Sequence, residues 1–108
     1  NQLRDFCFVQ DVVRAIILAL QPKDIEGQVF NIASGHPVSI RSIIESVQKI
    51  TGGGRPKYGV IPYRAGENMA LYANITKSRE LLGWCPQVSQ MEGLIRTINE
   101  TEKNLTKK

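Results

Sequence analysis

The chain has 108 residues, 42% hydrophobic and 22% charged, which fits one small core but neither a disordered chain nor a two-domain enzyme. Its longest apolar run, within Val12–Leu20, is broken by Arg14 and is too short to span a bilayer, and no secretory signal opens the sequence. The net charge of +4 admits phosphorylated small molecules, but no arginine-rich helix or aromatic-interleaved basic strand speaks for nucleic acid.

Phe6-Cys7-Phe8-Val9 is apolar on both faces and predicts a buried strand. Asp11 stands where a helix N-cap belongs, and Val12 to Leu20 is apolar nearly all round, predicting a helix buried on most of its surface. Pro22 stops it. Gln28 to Ala33 predicts a second strand, closed by the turn Ser34-Gly35-His36-Pro37. Strand, helix and strand within about 30 residues make a layered α/β unit. Ser39 then caps a helix with the stripe Ile40, Ile43, Ile44, Val47 and Ile50, which Gly52-Gly53-Gly54 ends as a flexible turn. Lys57 to Ile61 reads as extended. After Asn74 comes a short helix with Leu81 and Leu82, stopped by Gly83, with Trp84 and Pro86 packing the turn. Ser89-Gln90-Met91-Glu92 matches a capping box for a last helix carrying Leu94, Ile95 and Ile98. The strands have few partners within the sequence, so at least one sheet edge is expected to be exposed.

Little in the chain carries chemistry. His36 sits in a turn without neighbouring ligands, so no metal site is expected. Cys7 and Cys85 have no metal or redox spacing and read as free thiols of a reducing compartment, the cytoplasm. The Asn-x-Thr triplets at Asn74, Asn99 and Asn104 lack a secretory context. There is no nucleophile elbow and no G-x-G-x-x-G. What remains is arginine. Arg4 lies beside an apolar strand, and Arg64 lies in the loop Pro62-Tyr63-Arg64-Ala65-Gly66-Glu67. Guanidinium forks suit phosphate oxygens, and Glu67 suits a hydroxyl such as that of a ribose. On residues alone, a surface arginine remains the default at each position, and a Glu67 that simply pairs with an arginine is an equal reading.

Four stretches, in order, resemble one family. Arg4-Asp5-Phe6-Cys7-Phe8-Val9-Gln10-Asp11-Val12-Val13-Arg14-Ala15 resembles the R-D-F/Y-x-x-V-x-D-x-x-x-A segment of extended short-chain dehydrogenase/reductases, the NAD(P)-dependent nucleotide-sugar epimerases and dehydratases. Val29-Phe30-Asn31-Ile32-Ala33-Ser34-Gly35 resembles their F-N-I/V-G-S-G strand, with Ala33 where glycine is usual. Tyr63-Arg64-x-x-Glu67 resembles R-x-x-D/E, and Tyr72 to Pro86 resembles the segment that ends L-G-W-x-P, with Asn74 in place of the usual aspartate. Ser89 to Ile98 fits the closing helix.

The resemblance implies roughly the last third of a chain of about 300 residues. The implied fold is an α/β fragment: an edge strand–helix–strand of a Rossmann-like sheet over residues 1–36, a small, mainly helical substrate domain over 37–102, and a frayed tail over 103–108. It implies that Arg4 and Arg64 bind the diphosphate of an NDP-hexose and that Glu67 holds the ribose. NAD or NADP is implied for the whole enzyme, and a homodimer. The glycine-rich cofactor loop and the Tyr-x-x-x-Lys pair are absent, so no catalytic or cofactor-binding residue is expected in this stretch and none of the chemistry by it alone. The rival reading is an assembly module whose exposed edges and apolar first helix pair with a second copy.

Overall fold

The computed structural model describes residues 2–21, 24–66 and 69–106. The short strand β1 (Leu3–Arg4) is the centre of a three-stranded sheet. On one side it pairs antiparallel with β2 (Val38–Ser39), Leu3 opposite Ser39 and Arg4 opposite Val38. On the other it pairs parallel with β3 (Ala70–Leu71), Arg4 opposite Leu71. Two further bonds extend these ladders: Ile40 N donates to the Gln2 carbonyl at 2.9 Å, and Leu3 N to the Met69 carbonyl at 2.6 Å.

Phe6 to Val9 does not form the predicted strand. The paired residues lie earlier, and helix α1 (Val9–Leu20) opens directly from an extended Phe8 at its N-cap. Asp11 is inside the first turn of α1, not at its cap, because its carboxylate is engaged elsewhere. Nor does Gln28–Ala33 form a strand. It lies beside no ladder among the described residues, and its carbonyls are taken by side chains instead. Ser78 Oγ donates to the Asn31 carbonyl at 2.6 Å and Lys77 Nζ to that of Val29 at 3.0 Å.

Helix α2 (Ile40–Thr51) begins as the sequence predicts: Ser39 Oγ accepts from Ser42 N at 3.1 Å. It ends at Gly52 in the left-handed conformation, which relieves the last turn. Lys57 to Ile61 is a turn, not an extended segment, because Gly59 takes a positive φ and Tyr58 lies under the Arg41 guanidinium, 3.8 Å from its ring centre. Ser78–Leu82 forms a π-helical turn stopped by left-handed Gly83, and Asn74 Oδ1 caps its approach by accepting from Thr76 N at 2.9 Å. Helix α3 (Gln90–Thr106) starts with Ser89 Oγ accepting from Glu92 N. The Glu92 carboxylate pairs with Arg96 at 2.6 Å rather than returning to the cap, so the box is half closed.

Trp84 sits at the core with no exposed surface, packed among Ala15, Ala33, Ile75 and Leu82. Burying a ring of this size removes roughly 150–250 Å² from water, about 4–6 kcal/mol at 25 cal/mol/Å², an upper bound. Its Nε1 donates to the Asp11 carbonyl at 2.8 Å. Only Asp11 and Ala15 of α1 are buried, against the expectation of a mostly covered helix. Val13, Ile16, Ile17 and Leu20 are between 48% and 79% exposed. The turn around Trp84 covers one face, and the helix is apolar on the others too.

Candidate functional site

Arg4 is fixed by the sheet, flanked by Val38 and Leu71. Its Nη1 donates to the Leu3 carbonyl at 2.8 Å. The adjacent Asp5 has a separate task. Its carboxylate accepts from Ser34 N at 2.6 Å and Gly35 N at 2.8 Å, locking the turn that follows the Asn31 segment. Gly35 has φ +78° there, and a Cβ on it would lie 3.1 Å from Ile75 Cδ1.

Arg64 is exposed in the loop between α2 and β3, just before the turn at Ala65-Gly66. The parallel pairing of β3 with β1 brings the end of this loop to the strand that holds Arg4. The ladder pairs Arg4 with Leu71, and Arg64 lies six residues before the first residue of β3. Glu67, the third expected site residue, lies outside the described residues. Two guanidinium groups on one strand and one neighbouring loop can take a diphosphate bidentately.

The sequence reading missed two residues beside them. Gln2 precedes Arg4 by two positions, so the strand pleat sets both on one face. Its Nε2 is buried without a hydrogen-bond partner among the described residues, which costs about 1–3 kcal/mol for an amide donor. Gln2 lines a cleft of about 620 Å³ together with the first turns of α2 and the loop 57–63. Arg41, stacked on Tyr58, forms part of its wall. Period-two spacing from Arg4 was the only sequence signal for Gln2, and Arg41 had none.

Asp11 anchors the turn at Gln87 and Val88. Its Oδ1 accepts from Gln87 N at 3.1 Å and from Arg14 Nη2 at 2.9 Å, and its Oδ2 accepts from Val88 N at 3.1 Å. Desolvation pushes this carboxyl up, but the two amides and the Arg14 guanidinium outweigh it and hold it below its ordinary value. The Cys7 thiol is pushed up by burial and by the carboxylates of Asp11 and Asp5, against Arg14. Among the described residues no three His, Cys, Asp or Glu side chains stand together as a metal cluster, and no helix is long and apolar enough to cross a membrane.

This architecture recurs in solved structures of nucleotide-sugar enzymes. A UDP-glucose 4-epimerase from Thermotoga maritima, with UDP-glucose, superposes with a TM-score of 0.85 at 37% identity, over 96% of this chain and 33% of that one. A mutant UDP-glucuronic acid 4-epimerase from Bacillus cereus, in complex with UDP-4-deoxy-4-fluoro-glucuronic acid and NAD, gives 0.83 at 33% identity, over 94% of this chain and 32% of that one. In sequence, the UDP-glucuronate 4-epimerase of Thermodesulfobacterium geofontis is 33% identical over 106 residues, 97% of this chain and 32% of the relative. The family model described as GDP-mannose 4,6 dehydratase matches residues 1–97. The chain belongs to that family, within the extended short-chain dehydrogenase/reductases that epimerise or dehydrate nucleotide sugars. It is an α/β fragment of the family's Rossmann-like fold and spans about a third of the length of the relatives it matches.

Proposed function

We propose that this chain is the C-terminal, substrate-binding part of an NAD(P)-dependent nucleotide-sugar epimerase or dehydratase of the cytoplasm. Residues 1–36 complete the nucleotide-binding fold and residues 37–102 form the substrate side. Arg4 and Arg64 take the diphosphate of an NDP-hexose, and Glu67 holds the ribose. The observation that carries the reading is the β1–β3 pairing, which brings the Arg64 loop to the strand of Arg4.

In the whole enzyme a bound nicotinamide would supply reversible hydride transfer with the sugar. The residues here do not fit that cofactor: the sequence has no glycine-rich dinucleotide loop and no Tyr-x-x-x-Lys pair. Their part is orientation. A diphosphate held at two fixed guanidinium groups restricts where the attached sugar can reach, which lowers the entropic barrier of the later step. Isothermal titration of the full-length protein with UDP-glucose and with UDP-glucuronate tests this. Arg64→Ala is expected to weaken binding about ten- to hundredfold, the worth of charged hydrogen bonds. Unchanged affinity removes Arg64 from the site.

A second role is favoured by the exposed apolar side of α1. Such a face seeks cover from the remainder of the chain or from a second copy in a homodimer. Light scattering of the full-length protein over a range of concentrations distinguishes them. A mass that stays monomeric dismisses the dimer.

A further inference from the structure

Arg4 stands on a sheet with little stiffness of its own. Each of the three strands is two residues long, shorter than the roughly three to ten usual in globular proteins. So short a ladder does not by itself aim a long side chain. The next residue supplies a second hold. One carboxylate oxygen of Asp5 accepts from Ser34 N at 2.6 Å and the other from Gly35 N at 2.8 Å, residues 29 and 30 places further on. Two acceptors on two adjacent backbone donors fix both the position and the tilt of the carboxylate, and hydrogen bonds to a charged acceptor are the strong ones. The turn they hold is itself seated. Gly35 lies against Ile75, where an added Cβ would come within 3.1 Å of Cδ1, and Ile75 belongs to the core with Trp84. Ser34 Oγ closes the turn from within by accepting from His36 N at 3.0 Å. A line of contacts thus runs from the core through Ile75 and the turn to Asp5, and ends at the backbone of Arg4. By its charge alone, a carboxylate next to an arginine meant for phosphates works against binding. Its place there is explained by what it holds.

We propose that Asp5 is a positioning residue of this site: its carboxylate aims Arg4 by fastening the end of β1 to the turn at Ser34 and Gly35. The inference rests on the reading of Arg4 as a diphosphate ligand. Asp5 makes no contact with the nucleotide sugar. It holds the backbone from which the guanidinium reaches, so that phosphate oxygens meet the planar fork at a fixed angle.

The test uses the full-length protein, with UDP as the calorimetric probe, below the melting range of every variant. Asp5→Asn keeps the size and turns one of the two acceptors into a donor. It is expected to weaken UDP about tenfold, the order of one misdirected charged hydrogen bond. Charge alone predicts the opposite sign, since the variant loses an anion beside the site. Asp5→Glu keeps the charge on a stem longer by one methylene and serves if the Asn variant does not fold. It is expected to weaken UDP about threefold. Because Asp5 acts through Arg4, either loss should vanish in an Arg4→Ala background. Unchanged or tighter UDP binding in the Asp5 variants overturns the proposal. So does an equal loss with and without Arg4, which is the mark of general loosening. Arg4→Ala alone tests the underlying reading. If it leaves UDP affinity unchanged, that reading falls and this one with it. A loss in Arg4→Ala without one in Asp5→Asn sinks only this one.

Discussion

Replacing Asp11 by asparagine should loosen the turn that carries Trp84. In the native side chain the two oxygens share three donors: Gln87 N, Val88 N and Arg14 Nη2. Asparagine keeps one oxygen and places an NH₂ where the other was. One backbone N–H then faces a donor, and the guanidinium loses its charged partner. An unsatisfied buried N–H costs about 1–3 kcal/mol, and hydrogen bonds to charged groups are worth about 1.5–3. Asn keeps part of the network, so a net loss of about 2 kcal/mol is expected, roughly thirtyfold in a local opening equilibrium. Hydrogen exchange of the full-length protein reads this at the Gln87 and Val88 amides, and both should exchange about thirtyfold faster at fixed pH in Asp11→Asn. Acid adds a second signature. Because the folded carboxyl titrates below its ordinary value, its stabilisation is complete above that value and is lost as pH falls through the lowered one. The wild type should therefore lose protection on acidification below the ordinary carboxylate range, and the variant should lack that component. Exchange within about threefold of the wild type in Asp11→Asn would refute the assignment of Asp11 as the anchor.

Gly35→Ala should lower the melting temperature more than Gly27→Ala does. Both glycines have φ +78°, but only at position 35 does an added Cβ meet a neighbour, Ile75 Cδ1 at 3.1 Å. The backbone term alone is about 1 kcal/mol. Iodoacetamide followed by peptide mass spectrometry should modify exposed Cys85 before Cys7, whose thiol is half-buried and shifted upward. Trp84→Phe should cost about 2 kcal/mol in thermal melting, from lost ring volume and from the Asp11 carbonyl left without its donor.

What the sequence discloses here is local chemistry. Ser39, Ser89, Asn74, Gly52 and Gly83 start or stop helical turns where they are expected to, because caps act within a few residues of themselves. Period and polarity fail where the partner is distant. The run Val12–Leu20 reads as buried, yet apolar character says only that cover is favourable, not that it is present within these residues. Phe30 and its neighbours have strand composition, but a strand is a pair of ladders, and side chains of Lys77 and Ser78 take its carbonyls instead. Asp11 looks like a helix cap and instead caps a turn more than seventy residues on. At the candidate site, Arg4 and Arg64 stand out by residue type and motif, and the sequence alone does not show that the segment after Arg64 pairs with the strand of Arg4. Gln2 is unremarkable in a sequence, since its meaning is a missing partner.

The Trp84–Asp11 bond joins residues 73 apart in the chain. Closing a loop of that length carries an entropic cost that grows with the logarithm of its size, and no core contact offsets it until Trp84 arrives. Helix α2 can form from neighbouring residues, whereas among the described residues the buried face of α1 rests on the distant segment around Trp84. Among the described residues the core is thus tied to one indole: without Trp84 the buried residues Ala15, Ala33, Ile75 and Leu82 lack their common centre.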